Sequence, residues 1–177
     1  MVLRLLQVAS LSHVKNQRLL IDALPILRKS VDAHVDLVGE DTLDGELQRH
    51  AAQLGLADDV SFHGFVPQDG LDRFYGGADI YVQKSLHEAE GVSLLEAAAA
   101  GLPVIGTRAG YIADWAPQRA IAIDRTTPES LATAILDTAA GAGQVALGGQ
   151  TWSHQHHASW AARQFEAIYA DTLRRSA

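Results

Sequence analysis

Short apolar runs alternate with longer amphipathic stretches along this chain. An apolar run of about four to six residues, bounded by polar turns, is typical of a strand that is buried on both faces, and such strands form parallel sheets covered by helices. The predicted strands cover residues 3–9, 35–38, 60–63, 79–83, 103–106 and 120–123. The pattern therefore predicts an α/β fold, a doubly wound parallel sheet of about six strands.

The segments between the strands have the periodicity of helices, with apolar residues recurring three and four positions apart. Helices are predicted over residues 16–29, 43–54, 70–75, 129–140 and 160–173. Pro25 lies inside the first of these and is expected to kink or shorten it. Residues 141–149 contain too many glycines for a regular element, so a hinge or loop is predicted there.

Composition narrows the class of protein. A chain of 177 residues, 47% hydrophobic and 20% charged, is typical of one soluble globular domain. The net charge of −7 leaves no basic stripe for nucleic acid and favours a small-molecule partner. Without cysteine there is no disulfide framework, which is compatible with the cytoplasmic location that we expect. The apolar N-terminus is too short to span a bilayer and lacks the order of a signal peptide.

Most of the candidate chemistry lies in the segment 85–110. Glu88 and Glu96 stand eight positions apart, and Gly91, Val92 and Ser93 begin a helix between them that a glycine and a proline end. Free backbone N–H groups and the helix dipole make such an N-terminus a site for an anion. Carboxylates beside it suit sugar or ribose hydroxyl groups, which need hydrogen-bond acceptors.

A simpler interpretation of Glu96 stays open. Ser93 and Glu96 have the spacing of a capping box, in which the glutamate only closes the N-terminus of its own helix. The sequence alone does not choose between a capping residue and a ligand-binding residue.

The motif over residues 88–105, taken as a whole, is more specific for a protein family than its separate residues are. Glu88, seven residues, Glu96 and then Ala-x-Ala-x-Gly-x-Pro-Val-Ile resemble the signature of retaining GT-B glycosyltransferases, and most closely glycosyltransferase family 4, the group 1 transferases. The resemblance implies a Rossmann-like domain, the C-terminal half of a GT-B fold. It also implies that Glu88 lies by the donor sugar, that Glu96 binds the ribose, and that the helix N-terminus at Gly91, Val92 and Ser93 faces the diphosphate.

Lys15 stands in the loop after the first strand, which has no glycine triplet of a dinucleotide or Walker turn. A lysine in such a loop is most often a solvated surface charge. The loop nevertheless resembles the family's Gly-Arg-Leu-x-x-x-Lys-Gly loop, whose two basic residues clamp the donor diphosphate. Lys15 then matches the family lysine, and Ser10 matches the arginine. Because a hydroxyl replaces a bidentate guanidinium, the resemblance implies weaker diphosphate binding or a substitute cation.

Further matches lie after the second and third strands. Gly39 matches the first glycine of the family's Val-Gly-x-Gly turn, and His63 and Phe65 fall in its Phe-x-Gly-x-Val segment, whose backbone lines the nucleobase pocket. For the His63 ring, we favour a partly buried histidine with its hydrogen bonds satisfied over a catalytic role.

The segment after the fourth strand departs from the family pattern. Ser85 matches the serine of the family's Pro-Ser pair, but Lys84 stands where the proline would be. Glu90 adds an acid near the expected diphosphate, and like charges repel. Three histidines near the C-terminus, His154, His156 and His157, could suggest a metal, but their spacing is more typical of a solvated loop, and no metal site is assigned.

The resemblance implies the donor-binding part of a retaining hexosyltransferase with Glu88 and Lys15 as its catalytic residues. Residues 1–150 would form the nucleotide-sugar-binding domain, and residues 151–177 a C-terminal helical segment that packs on it. The expected ligand is a nucleoside diphosphate sugar as substrate, with no cofactor and no metal. The N-terminal acceptor-binding domain would be missing, any membrane contact would be made through that half, and the isolated chain would be inactive.

Two alternatives stay open. The chain could be a non-catalytic module that binds a nucleotide sugar or another protein, since the acceptor domain would be missing. It could also be part of a sugar-nucleotide epimerase of the same architecture.

Overall fold

The computed structural model describes residues 2–88, 91–160 and 162–166. Its six strands form one sheet in the order β3-β2-β1-β4-β5-β6, and all neighbouring strands are parallel. The strands are β1 (Leu3–Val8), β2 (Ala33–Val38), β3 (Val60–Phe62), β4 (Ile80–Gln83), β5 (Val104–Thr107) and β6 (Ile121–Ile123). The predicted doubly wound parallel sheet is therefore confirmed, with strand boundaries within about two residues of those predicted.

Helices cover both faces of this sheet. They are α1 (Gln17–Leu27), α2 (Glu46–Gln53), α3 (Asp72–Gly77), α4 (Val92–Ala99), α5 (Tyr111–Trp115), α6 (Pro128–Gly141) and α7 (Gly143–Gln155). Helices α1, α2 and α6 bury one apolar cluster against the sheet, and α3, α4 and α5 bury a second cluster on the other face. Because helices cover both faces of the sheet, the sequence of each strand is mainly apolar.

Helix α1 continues through Pro25 and ends at Leu27, two residues before the predicted end. A proline inside a helix removes one backbone hydrogen bond. Leu20 and Leu24, both fully buried in the core, hold this turn against the sheet. Tertiary packing thus preserves a turn that local preference disfavours.

The predicted hinge or loop over residues 141–149 is wrong, because α7 runs from Gly143 to Gln155. The glycines there permit close packing. A Cβ atom on Gly148 would lie 2.7 Å from the carbonyl oxygen of Gln118, and one on Gly149 would lie 3.1 Å from that of Arg119. Helix α7 also runs through residue 150, the expected division of the chain, and that division stays a prediction.

Two short helical segments lie in the second half of the chain. The five-residue helix α5 had no sequence prediction, because it is too short to show a period. Residues 158–160 and 162–166 are helical, while the rest of the predicted helix 160–173 lies outside the described residues. No helix in the described part of the chain is long and apolar enough to cross a membrane.

Candidate functional site

The candidate site lies at the carboxyl ends of β1 and β4. These strands are neighbours at the centre of the sheet, and the chain leaves them in opposite directions, toward β2 and β5. In open α/β sheets a crevice forms at this point, and ligands bind there. The loops that follow β1 and β4 carry Lys15 and Glu88, and a backbone hydrogen bond of 2.8 Å from Leu86 N to Val14 O joins the two loops.

Two buried glutamines hold the loop after β1. Gln7 Nε2 donates to the carbonyl oxygen of Lys15 at 3.1 Å, and Gln17 Nε2 donates to that of Ser10 at 3.0 Å. Gln17 Oε1 also accepts from the backbone N–H of Ser12. Both glutamines are 1% exposed. Neither glutamine was predicted from the sequence, although Gln7 interrupts the apolar run of β1, and this interruption was the available signal.

Lys15 and Glu88 meet across the crevice, 73 residues apart in sequence. Lys15 Nζ lies 2.6 Å from Glu88 Oε2, and the Ser85 hydroxyl donates to the same oxygen at 3.1 Å. The side chains of Lys15 and Glu88 are 25% and 13% exposed. Three residues singled out from three separate motifs therefore form one contact group. An ammonium has three donors, so Lys15 can bind Glu88 and an anion together.

Helix α4 begins beside this group, with Gly91 as its N-cap at φ 83°. The first free N–H groups are those of Val92 and Ser93, which point out of the helix N-terminus. The Ser93 hydroxyl accepts from the Tyr81 hydroxyl at 2.7 Å and does not cap the helix. The capping-box interpretation of Ser93 and Glu96 is therefore wrong, because the N-cap lies two residues before Ser93.

Glu96 lies one turn further along α4, toward α3. Its Oε2 accepts from the Tyr75 hydroxyl at 2.7 Å, and its Oε1 accepts from Gln68 Nε2. Burial and the hydrogen bond to Glu96 raise the pKa of Tyr75, so this phenol stays a donor. The carboxylate opens on a groove of about 390 Å³ that Leu71, Ala99 and Ala100 also line. Its acceptors are thus pre-oriented by two donors that the sequence analysis did not identify.

Gly39 ties together the loops after the first three strands. Its N–H donates to the carbonyl oxygen of Gly64 at 2.8 Å. Its Cα lies against β1, since a Cβ there would come within 2.0 Å of the carbonyl oxygen of Ala9. Only glycine allows this approach at φ 150°.

His63 and Phe65 have different surroundings in the loop after β3. His63 Nε2 is hydrogen-bonded to Asp36 Oδ1 at 2.7 Å, and its ring packs edge-on against Phe74 with centroids 4.6 Å apart. The His63 ring is therefore satisfied by structural contacts. Phe65 is 76% exposed, with its ring open to solvent on the same edge of the sheet.

The other residues considered from the sequence lie in different surroundings. Ser10 is exposed beside the crevice, whereas Lys84 is fully buried. Glu90 lies outside the described residues. Of the C-terminal histidines, His156 stacks on Trp152 with centroids 4.1 Å apart, and His154 Nε2 contacts the carbonyl oxygen of Ala99. Among the described residues, no group of three or more His, Cys, Asp or Glu side chains is arranged to hold a metal ion.

Chemically, the crevice offers a helix N-terminus and an ammonium for an anion, and carboxylates for hydroxyl groups. Residues 3–141 match the family of glycosyl transferases group 1. A GDP-mannose-dependent alpha-(1-6)-phosphatidylinositol monomannoside mannosyltransferase of Mycolicibacterium smegmatis is 31% identical over 173 residues, covering 90% of this chain and 44% of the relative.

Solved structures share the fold. The crystal structure of HepE from Anabaena in complex with UDP and glucose has a TM-score of 0.82 at 22% identity, covering 96% of this chain and 48% of that one. The C-terminal domain of a group 1 family glycosyl transferase (LpcC) from Francisella tularensis has a TM-score of 0.74 at 22% identity, covering 84% of this chain and 83% of that one. This chain thus spans less than half the length of the mycobacterial relative and of HepE.

Proposed function

Since this chain belongs to the group 1 glycosyl transferases, we propose that it is the donor-binding domain of a retaining hexosyltransferase. It binds a nucleoside diphosphate sugar in the crevice beyond β1 and β4. Residues 1–150 form that domain, with the C-terminal segment 151–177 packed on it, and a separate acceptor-binding domain completes the enzyme in the cytoplasm. The 2.6 Å contact between Lys15 and Glu88 carries the proposal, because it joins the two loops that would meet a donor.

Lys15 and helix α4 provide the electrostatic part of the reaction. In the proposed step, the bond between the anomeric carbon and the diphosphate breaks, and an acceptor hydroxyl forms the new bond on the same face. The acceptor proton passes to the departing diphosphate. Lys15 and the N–H groups of Val92 and Ser93 stabilise the charge that develops on the diphosphate oxygens. No cofactor enters this scheme.

Glu88 and Glu96 provide acceptors at the two ends of the donor. Glu88 is held by Lys15 and Ser85 at the sugar end, where it accepts from sugar hydroxyls. Glu96, held by Tyr75 and Gln68, accepts from the ribose. The loop of His63 and Phe65, tied to Gly39, then forms the wall for the base.

A non-catalytic binding module and an epimerase of the same architecture are less well supported. Both would use the same crevice, but the relative named above is a mannosyltransferase. Observed transfer by the completed enzyme would separate these functions, since neither alternative forms a new glycosidic bond.

Calorimetry and thermal unfolding with UDP-glucose and GDP-mannose test the proposal. We expect one of them to bind, and ligand at about a hundred times its dissociation constant to stabilise the fold by about 2.7 kcal/mol. Lys15→Met should weaken binding of the diphosphate but not of the matching nucleoside. Lys29→Met is the control, because Lys29 is an exposed lysine just after α1. If neither binds the wild-type chain, the proposal is wrong.

A further inference from the structure

Lys84 is the one buried cation among the described residues that has no partner. It directly follows β4, is 0% exposed, and its Nζ has no hydrogen-bond partner in the described part of the chain. Burying an ammonium without a partner is unfavourable, so such a group needs a reason. Burial lowers the pKa of Lys84 to about 7.

The place of Lys84 in the sheet is next to the candidate site. Side chains alternate along a strand, so Lys84 lies on the same face as Val82, which belongs to the core under α1 and α6. Gln7 lies on this face at the end of neighbouring β1, and its Oε1 is also buried without a partner among the described residues. The other end of the Gln7 amide holds the carbonyl oxygen of Lys15. Lys84 Nζ and Gln7 Oε1 are therefore two buried polar atoms without a partner among the described residues, and both lie on the face of the sheet beneath the loop that carries Lys15.

The crevice has little positive charge that is not already paired with a carboxylate. Lys15 is balanced by Glu88, and Glu96 adds a further negative charge. Arg108, after β5, is paired with Asp124 at 2.7 Å and is half exposed. A diphosphate brings at least two negative charges, so the paired cations leave this edge of the sheet short of positive charge. Lys84 is the buried cation in the described residues that no carboxylate neutralises.

We propose that Lys84 is a binding residue for the diphosphate of the donor, reached when the ligand enters the crevice between β1 and β4. The anion takes the place of the missing partner, and Lys84 takes up a proton as the ligand binds. This inference rests on the proposed function. It adds Lys84 to the residues that bind the donor, and it adds the uptake of a proton when the donor binds.

The experiment compares wild type, Lys84→Met and Lys29→Met, using UDP, GDP, inorganic pyrophosphate and the nucleosides uridine and guanosine. Lys84→Met should weaken binding of the diphosphates by about ten- to a hundredfold, as expected for a hydrogen bond to a charged group. Binding of the nucleosides should stay the same. The unfolding midpoint of the free protein should stay the same or rise, because methionine removes an unpaired buried amine at similar volume. Lys29→Met should behave as wild type.

Proton uptake gives a second readout that a structural role would not produce. Calorimetry in buffers of different ionisation enthalpy should show wild type taking up about one proton with UDP or GDP near pH 8, where free Lys84 is mostly neutral, and little that depends on Lys84 near pH 6. The uptake at pH 8 should vanish in Lys84→Met and persist in Lys29→Met.

The outcomes are distinct. Wild type that binds UDP or GDP without proton uptake at pH 8 overturns the role of Lys84 and leaves the proposed function standing, as does equal diphosphate affinity in Lys84→Met. If Lys84→Met fails to fold, the proton uptake of the wild type at pH 8 alone tests the role of Lys84. If wild type binds neither UDP nor GDP nor any of the nucleotide sugars, the proposed function and this inference are both wrong.

Discussion

Single side chains show two different environments for the two glutamates of the central motif. Glu88 is neutralised by Lys15, whereas Glu96 is held by the neutral donors of Tyr75 and Gln68. Because no cation in the described part of the chain pairs with Glu96, its oxygens can also accept from the hydroxyl groups of a ligand. In the proposed function, Glu88 accordingly lies at the donor sugar beside Lys15, and Glu96 lies at the ribose.

Glu96→Gln tests the ribose role. In the free protein the new amide oxygen can still accept from Tyr75, and exposed Gln68 can turn its own amide to match, so folding stability should change little. A ribose with two hydroxyl donors would meet one donor in place of an acceptor. We expect nucleoside diphosphate affinity to fall about ten- to a hundredfold by calorimetry.

Tyr75→Phe is the companion variant for this experiment, because it removes the hydrogen bond that Glu96→Gln keeps and leaves the carboxylate in place. It should lower the unfolding midpoint and weaken nucleotide affinity less than Glu96→Gln does, because both acceptor oxygens of Glu96 and its contact with Gln68 remain. Equal nucleotide affinity in wild type and Glu96→Gln would show that Glu96 serves only the contact between α3 and α4.

The sequence could predict which residues lie at the site better than it could predict their partners. Lys15 and Glu88 follow strands one and four, and strand ends meet in a parallel sheet, so their proximity was predictable. The capping box was not excluded by spacing, since the true N-cap depends on Gly91 adopting φ 83°. The roles of Gln17 and Tyr75 were not predicted because they depend on burial, which the sequence does not show, and the only sequence signal for Gln7 was its interruption of the apolar run of β1.

At the level of elements, helix α7 shows where local preference gives the wrong answer. Its glycines lower the intrinsic stability of a helix, which is why a loop was predicted. Packing reverses this preference, because Gly148 and Gly149 let the helix approach the turn at Gln118 and Arg119. The strands were predictable because each is a continuous apolar run, and the helices α1 and α6 because each is long and periodic.

Gly148→Ala and Gly143→Ala test this explanation within one helix. The Cβ that Gly148→Ala adds would meet a backbone oxygen at 2.7 Å, so we expect a loss of about 1–3 kcal/mol in unfolding free energy. At Gly143 nothing lies within 4 Å of the added Cβ. Alanine there should be neutral or stabilise by up to about 1 kcal/mol, since it improves helix propensity. Denaturant unfolding measures both, and equal effects of the two changes would contradict the packing explanation.

In the whole molecule, one edge of the sheet gathers the loops of the site and is also apolar. Val14, Phe65, Leu86 and Val92 each follow a strand or begin α4, and each is between 49% and 76% exposed. Large apolar side chains are therefore exposed at the same edge of the sheet as Lys15 and Glu88. Such a surface suits a protein whose ligand is enclosed by a second wall.

The last prediction follows from the exposed edge of the sheet that carries the site. Transfer of a sugar needs an acceptor held at the anomeric carbon and the exclusion of water, and both need walls on two sides of the donor. The chain covers 48% of the HepE chain, and in the proposed function a separate domain supplies the second wall. We therefore expect the isolated chain to bind a nucleotide sugar and to transfer nothing.

A radiolabelled donor that binds in calorimetry, incubated with a panel of acceptor hydroxyl compounds, measures this directly. The Glu96→Gln chain, whose donor binding should be weaker, controls for a contaminating enzyme, because contaminant activity would be equal in both preparations. Transfer by the wild-type chain that falls in Glu96→Gln would show that this single domain completes its own active site. The donor-binding role would then stand, and the need for a second wall would be wrong.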